Sequence, residues 1–259
     1  MRTSRISLRV VALGYLAVLL LVPVGIVLYR TFENGIGHFI DSISTPAAIH
    51  AFWLTLEVVA ITVPLVTVFG ILLALVLVRM DFRGKSIVET IVDLPFAISP
   101  VVVGIALIFV YGRGGWLQPG FQVIFSVPGI VLATIFVCLP FVTREVVPVL
   151  REIGDEQEQA AVTLGANGWQ TFWRVTLPAI RWGVVYGVVL STARAVGEFG
   201  AVSVVSGHIA GQTETLTLLV EKRFDNFDLS GAYAASALLA FIALATLLAL
   251  TLIKPRREA

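Results

Sequence analysis

The chain has 259 residues, of which 58% are hydrophobic and only 14% charged, with 18 Lys and Arg against 17 Asp and Glu for a formal net charge of +1. Soluble domains carry about 25% charged residues, so the composition excludes an ordinary soluble domain and marks an integral membrane protein. The charge balance by itself singles out no partner. Membrane lipid is the expected surrounding, and no nucleic acid is expected.

A helix needs about 20 apolar residues to cross a bilayer, and six runs meet that need, at 10–29, 53–78, 91–111, 128–149, 180–206 and 231–253. The expected fold is therefore all-α, a polytopic membrane protein with six transmembrane helices. The first run follows MRTSRISLR, which resembles the basic start of a signal peptide. Its apolar part is too long for one, and no small-x-small cleavage site follows, so a retained anchor is expected. With the N-terminus inside, the cytoplasmic segments hold Arg2, Arg5, Arg9, Arg79, Arg83, Lys85, Arg144, Arg151, Arg174, Arg181, Lys254, Arg256 and Arg257, thirteen in all. The outer segments hold four, namely Arg30, Arg113, Lys222 and Arg223, with Arg194 set aside inside a span. The positive-inside rule then places both termini in the cytoplasm of a multi-pass protein of the inner (cytoplasmic) membrane.

Outer connections are expected at 30–52, 112–127 and 207–230, and inner ones at 79–90 and 150–179. The first inner connection contains Arg83-Gly84-Lys85-Ser86, the end of a phosphate-binding loop, but such a loop needs a second glycine where Arg79 stands. A basic loop anchored at the headgroups explains it better. The single cysteine, Cys138, lies in the fourth span, which excludes an intrachain disulfide and a thiolate metal cluster. His38, His50 and His208 are scattered through expected loops without a second ligand at metal-binding spacing. No metal and no cofactor are expected on this chain. Pro64, Pro95, Pro100, Pro140 and Pro148 fall in or at the ends of spans, where each removes a backbone donor and bends the helix.

The segment REIGDEQEQAAVTLGANGWQTFWRVTLPAIRW carries helical signals in place of linker composition. Asp155, Glu156 and Glu158 open a first short helix, where acids favour the helix dipole. Ala160, Ala161 and Leu164 form a small face, and Gly165 ends it. Asn167 caps a second helix with Gln170 reaching back three residues later, a capping box. Trp169, Phe172, Trp173 and Thr176 follow at i, i+3, i+4 and i+7 as its apolar face, and Pro178 leads into the next span. The pair is either a plain amphipathic connection on the membrane face or a docking element.

In the fifth span, ARAVGEFGAVSVVSG (193–207) places Arg194 near the expected midplane and Glu198 one turn outward on the same face. A central Arg costs about 2.5 to 3.5 kcal/mol on translocon scales, so the two charges must pair or face a wet cavity. Gly183, Gly187, Ser191 and Ala195 form one row of small residues and Ala193, Gly197 and Ala201 another, a pattern that lets membrane helices pack closely. Arg194 and Glu198 are either a buried pair that fixes packing or part of a translocation path.

The spacing Gln159-Ala160-Ala161, Gly165 and Val175-Thr176-Leu177-Pro178 resembles the EAA signature of permease subunits of ATP-binding-cassette importers, with Gln for the usual Glu and Val for Ile. The runs DLPFAISPVVVG (93–104), LPFVTREVVPVL (139–150), LGANGWQTFWRVTLP (164–178) and ARAVGEFGAVSVVSG extend the likeness over essentially the whole chain. They are similar to the sulfate/thiosulfate branch, of CysW type, with molybdate permeases nearest in pattern. The resemblance implies the type I importer permease (MetI-like) fold, with an N-terminal segment and first helix at 1–50, the permease domain at 51–253 containing the EAA segment 150–179, and a tail at 254–259. It implies a transporter subunit and no enzyme, coupled through Gln159, Ala160, Ala161, Gly165, Leu177 and Pro178 to two cytoplasmic ATPase subunits that hydrolyse ATP. A second homologous permease, making a heterodimer, and an extracytoplasmic sulfate-binding protein complete the implied assembly. In that setting Arg194 would attract a dianion and Glu198 release it. A homodimeric molybdate or tungstate permease and an ATPase-independent anion carrier are the alternatives. A membrane enzyme is disfavoured, since no HExxH or GxSxG occurs.

Overall fold

The computed structural model describes residues 2–117 and 120–253, and every regular element among them is helical. α1 (Arg2–Phe32) leads through the short α2 (Gly35–Ile43) to α3 (Pro46–Arg79), which has 34 residues and is about 51 Å long at the α-helical rise. The Thr45 hydroxyl accepts from the Ala48 amide at 3.3 Å, and Pro46 occupies the first turn, where no amide donor is needed. Capping thus starts α3 well before the apolar run at 53, and the expected loop at 30–52 is mostly helix. His38 and His50 accordingly lie on helices.

The expected span 91–111 is a bent pair, α4 (Lys85–Ala97) and α5 (Pro100–Tyr111), whose axes meet at 112°. Pro100 supplies no amide donor and drives the residue before it out of the helical region. Ser99 has ψ 132° and Ile98 ψ 135°, so the ladder stops there. α4 opens at Lys85, which turns most of the supposed inner loop into helix. By contrast, Pro64 sits within α3, and Pro140 and Pro148 within α6 (Val127–Ile153), with the helix continuing through them.

After α6 come α7 (Glu156–Thr163), α8 (Gly168–Thr171), a π-helical turn at Phe172–Thr176 and α9 (Leu177–Val196). The last three form one run, Gly168–Val196. α9 stops at Val196, which corrects the expected span 180–206. Gly197 caps it, and α10 (Gly200–Val205) begins after a break. The supposed outer loop 207–230 contains α11 (Leu216–Asp225), with Leu216, Leu218 and Leu219 buried. α12 (Leu229–Ile253) closes the described chain. Five helical runs are long and apolar enough to cross a membrane, and the bent pair brings the number to six.

α6 is the most deeply buried of these runs. Lipid tails are as apolar as Leu side chains, so close backbone approach matters more than hydrophobicity in holding such helices together. A Cβ on Gly70 of α3 would stand 2.7 Å from the Val142 Cβ, and one on Gly187 of α9 2.7 Å from the Val142 Cα. Val142 of α6 is therefore seated between two glycines, locking α3, α6 and α9 together. The row Gly183, Gly187, Ser191 and Ala195 is buried as expected. The second expected row does not form, because Gly197 lies past the helix end and Ala201 is on α10. α1 runs along the outside of the bundle, with Thr31 Oγ1 3.0 Å from the Tyr233 carbonyl oxygen of α12.

Candidate functional site: the segment between α6 and α9, and the break after α9

α7 buries none of its residues. Gly165 ends the segment with φ +89°, a left-handed conformation that disfavours any side chain. The capping box forms: the Gln170 amide donates to Asn167 Oδ1 at 2.9 Å, and the Asn167 amide to Gln170 Oε1 at 3.0 Å. Ala160, Ala161 and Pro178 share one open groove of about 660 Å³, together with Leu164, Arg174 and Arg181. Gln159 donates to Asp155 Oδ2 at 2.8 Å, within its own segment. Leu177 packs against the core cluster around Val142 and Ile180. Of the residues singled out in sequence, the two alanines and the proline therefore meet in the groove, whereas Gln159, Gly165 and Leu177 shape its surroundings.

The expected apolar stripe splits. Phe172 packs against the core and Thr176 is buried, yet Trp169 is 71% exposed and Trp173 50% exposed. The reason is the π turn: the Leu177 amide bonds to the Phe172 carbonyl five residues back, and the extra residue shifts the register.

Sequence reasoning missed the polar cluster behind α7. Glu158 accepts from Arg79 Nε at 2.8 Å and from the Thr176 hydroxyl at 2.8 Å. Arg79, the last residue of α3, also donates to the Leu150 carbonyl at 3.3 Å and the Gly154 carbonyl at 2.6 Å, two groups at the end of α6 that lack intrahelical partners. Seventy-nine residues separate Arg79 from Glu158, so no local pattern could have announced the contact.

At the other site, Arg194 and Glu198 do pair, with Nη2 2.6 Å from Oε2. Glu198 lies in the break rather than one helical turn further along α9. Its Oε1 accepts from the Ala201 amide at 2.9 Å, and the Thr217 hydroxyl donates to its carbonyl at 2.8 Å. The side chain of Glu198 is 1% exposed and that of Arg194 31%. Glu198 borders Thr55 and Val58 of α3 and Ile130 and Thr134 of α6. These positions are roughly three turns from the start of α3 and one to two from the start of α6, so the pair sits toward the end of the bundle opposite Arg79 and not at its middle. A second buried acid, Glu214, lies nearby in sequence with Lys222 Nζ at 2.8 Å, and the Leu216 amide bonds to the Thr55 hydroxyl at 2.9 Å. The break is thus anchored to α3 on several sides.

Residues 66–258 match the family described as binding-protein-dependent transport system inner membrane component. The chain belongs to that family. It is 50% identical over 95% of its length to the sulfate transport system permease protein CysW of Synechocystis, covering 91% of that protein. It is 46% identical over 93% of its length to the CysW protein of Escherichia coli K12, covering 85% of it. The Synechocystis permease CysT is 37% identical over 95% of the chain and 87% of CysT. A solved bacterial ABC transporter for alginate aligns with a TM-score of 0.78 over 100% of this chain and 97% of that one at 20% identity, a likeness of fold. This inner membrane component is an ABC-importer permease subunit with no ATPase motif, and hydrolysis falls to separate subunits.

Proposed function

We propose that this permease carries sulfate. What supports this most is the rank of its relatives: within Synechocystis the chain is 50% identical to CysW and 37% to CysT, a gap of 50 − 37 = 13 percentage points over alignments of nearly equal length. It is accordingly the CysW-like half of a heterodimer with a CysT-like permease, served by two cytoplasmic ATPase subunits and an extracytoplasmic sulfate-binding protein. Both termini face the cytoplasm, which puts α7 and its groove on the ATPase side. The small side chains of Ala160 and Ala161 and the turn at Gly165 allow a partner's backbone to come close, and Arg79, Arg151 and Arg174 gather at that end.

The Arg194–Glu198 pair chiefly holds the α9 break closed. Glu198 is fully engaged by Arg194 and the Ala201 amide, and the part-exposed Arg194 is the group a passing dianion would meet. The test is uptake by proteoliposomes containing both permeases, the ATPases and the binding protein. ATP-dependent uptake of labelled sulfate that an equal concentration of molybdate or tungstate leaves intact is expected. Preferential molybdate uptake, or full activity without the second permease, would overturn the assignment.

A further inference from the structure

The geometry points to Glu158 as the joint through which motion of α7 reaches the membrane helices. α7 buries no side chain, so apolar packing does not fasten it to the bundle. Its other side-chain bonds stay local: Gln159 to Asp155, and the Thr163 hydroxyl to the Ala160 carbonyl. Among the described residues, Glu158 is the one α7 side chain with hydrogen bonds beyond its own segment.

Those bonds go to three helices at once. Oε2 takes Arg79 Nε at the end of α3, and Oε1 takes the Thr176 hydroxyl where the π turn meets α9. The same guanidinium holds the Leu150 and Gly154 carbonyls that finish α6. Arg79 and Glu158 side chains are 21% and 20% exposed, shielded enough for a charge-assisted contact with fixed geometry to hold its length under load. Beyond the joint, α3, α6 and α9 are locked together by Gly70 and Gly187 against Val142. A displacement of α7 therefore moves one rigid three-helix unit, and Glu158 is the narrow point of that path. Glu158 is a positioning residue: it lies outside the groove residues and acts through Arg79 and Thr176.

The joint presupposes that α7 meets an ATPase subunit, as proposed above, and the two claims separate experimentally. In proteoliposomes holding the whole importer, sulfate uptake and ATP hydrolysis are measured together, and retention of the ATPase subunits is scored on the purified complex. Glu158→Gln should keep the ATPases bound and hydrolysing while uptake per ATP falls at least tenfold. Thr176→Val, which removes one arm and leaves the ion pair, should lower the ratio about twofold to fivefold and serves if Glu158→Gln assembles poorly. In a Cys138→Ala background, Arg79→Cys with Glu158→Cys should be uncoupled when reduced and regain uptake per ATP when bridged by a short bifunctional thiol reagent, which a purely electrostatic role would not allow. Unchanged uptake per ATP in both Glu158→Gln and Thr176→Val would overturn the joint. Loss of the ATPases from Glu158→Gln would overturn it too, making Glu158 part of the docking surface. Gly165→Leu tests the docking separately: wild-type ATPase retention and uptake there would sink the docking proposal without touching the coupling ratio of the Glu158 variants.

Discussion

Removing either member of the Arg194–Glu198 pair should not cost the same. Arg194→Met leaves a carboxylate that is 1% exposed without its counter-charge, and breaking a buried pair in this way destabilises by about 3 to 5 kcal/mol. Glu198→Gln leaves an arginine with 31% exposure that can turn its head toward water. The amide oxygen still accepts from the Ala201 N–H, so the loss is about 1 kcal/mol. The double variant keeps that hydrogen bond and strands no charge, which places it close to wild type. The coupling energy from the cycle should then be about 3 kcal/mol in favour of the pair, roughly a hundredfold in the folded to unfolded ratio. Denaturant titration of the detergent-solubilised complex reads these values, with sulfate uptake per inserted complex measured alongside. Equal losses in the two single variants, or a tolerated Arg194→Met, would refute the asymmetry. Recovery of uptake in the double variant supports a packing role, whereas a stable but inactive double variant assigns Arg194 to the sulfate path.

Gly187→Ala gains about 1 kcal/mol of helix propensity, yet its Cβ would stand 2.7 Å from the Val142 Cα, and overpacking against backbone costs about 1 to 3 kcal/mol. A lowered thermal midpoint in detergent is expected, while Gly25→Ala on α1, which meets nothing within 4 Å, should be neutral. A raised midpoint for Gly187→Ala would remove the close three-helix contact. For orientation, Asp155→Cys in a Cys138→Ala background should react with an impermeant thiol reagent only after the membrane is opened, and Asn226→Cys in intact cells. The reverse labelling would invert the bundle and take α7 away from the ATPases.

The helical class and the apolar runs were legible because bilayer length and hydropathy are properties of contiguous sequence. So was the capping box at Asn167 and Gln170, which acts over three residues. What failed was continuity. Hydropathy carries straight through Ile98-Ser99-Pro100 and through Gly197, but backbone donors and glycine decide whether the helix does. The loop at 207–230 looked polar because Glu214, Lys222 and Arg223 are in it, yet Glu214 and Lys222 bond to each other. Arg223 holds the Ser42 and Gly231 carbonyls. In both cases charge meant internal attachment and not solvent. The Arg194–Glu198 pairing was anticipated from the expense of a lone charge, whereas its depth was not, since depth was reckoned from a span that ends early.

The π turn at Phe172–Thr176 has a mechanical consequence of its own. Because one residue is looped into the helix there, the stretch before it is rotated by about 100° relative to an uninterrupted α-helix, which is why Trp169 and Trp173 face outward while Phe172 and Thr176 face in. A single rod thereby answers to two environments with separate phases: α9 is set by its glycine contacts inside the membrane, and the stretch from Asn167 to Thr171 by whatever it meets outside. Selection can alter the aim of the docking end by gaining or losing one residue, without disturbing the packing of the span that follows.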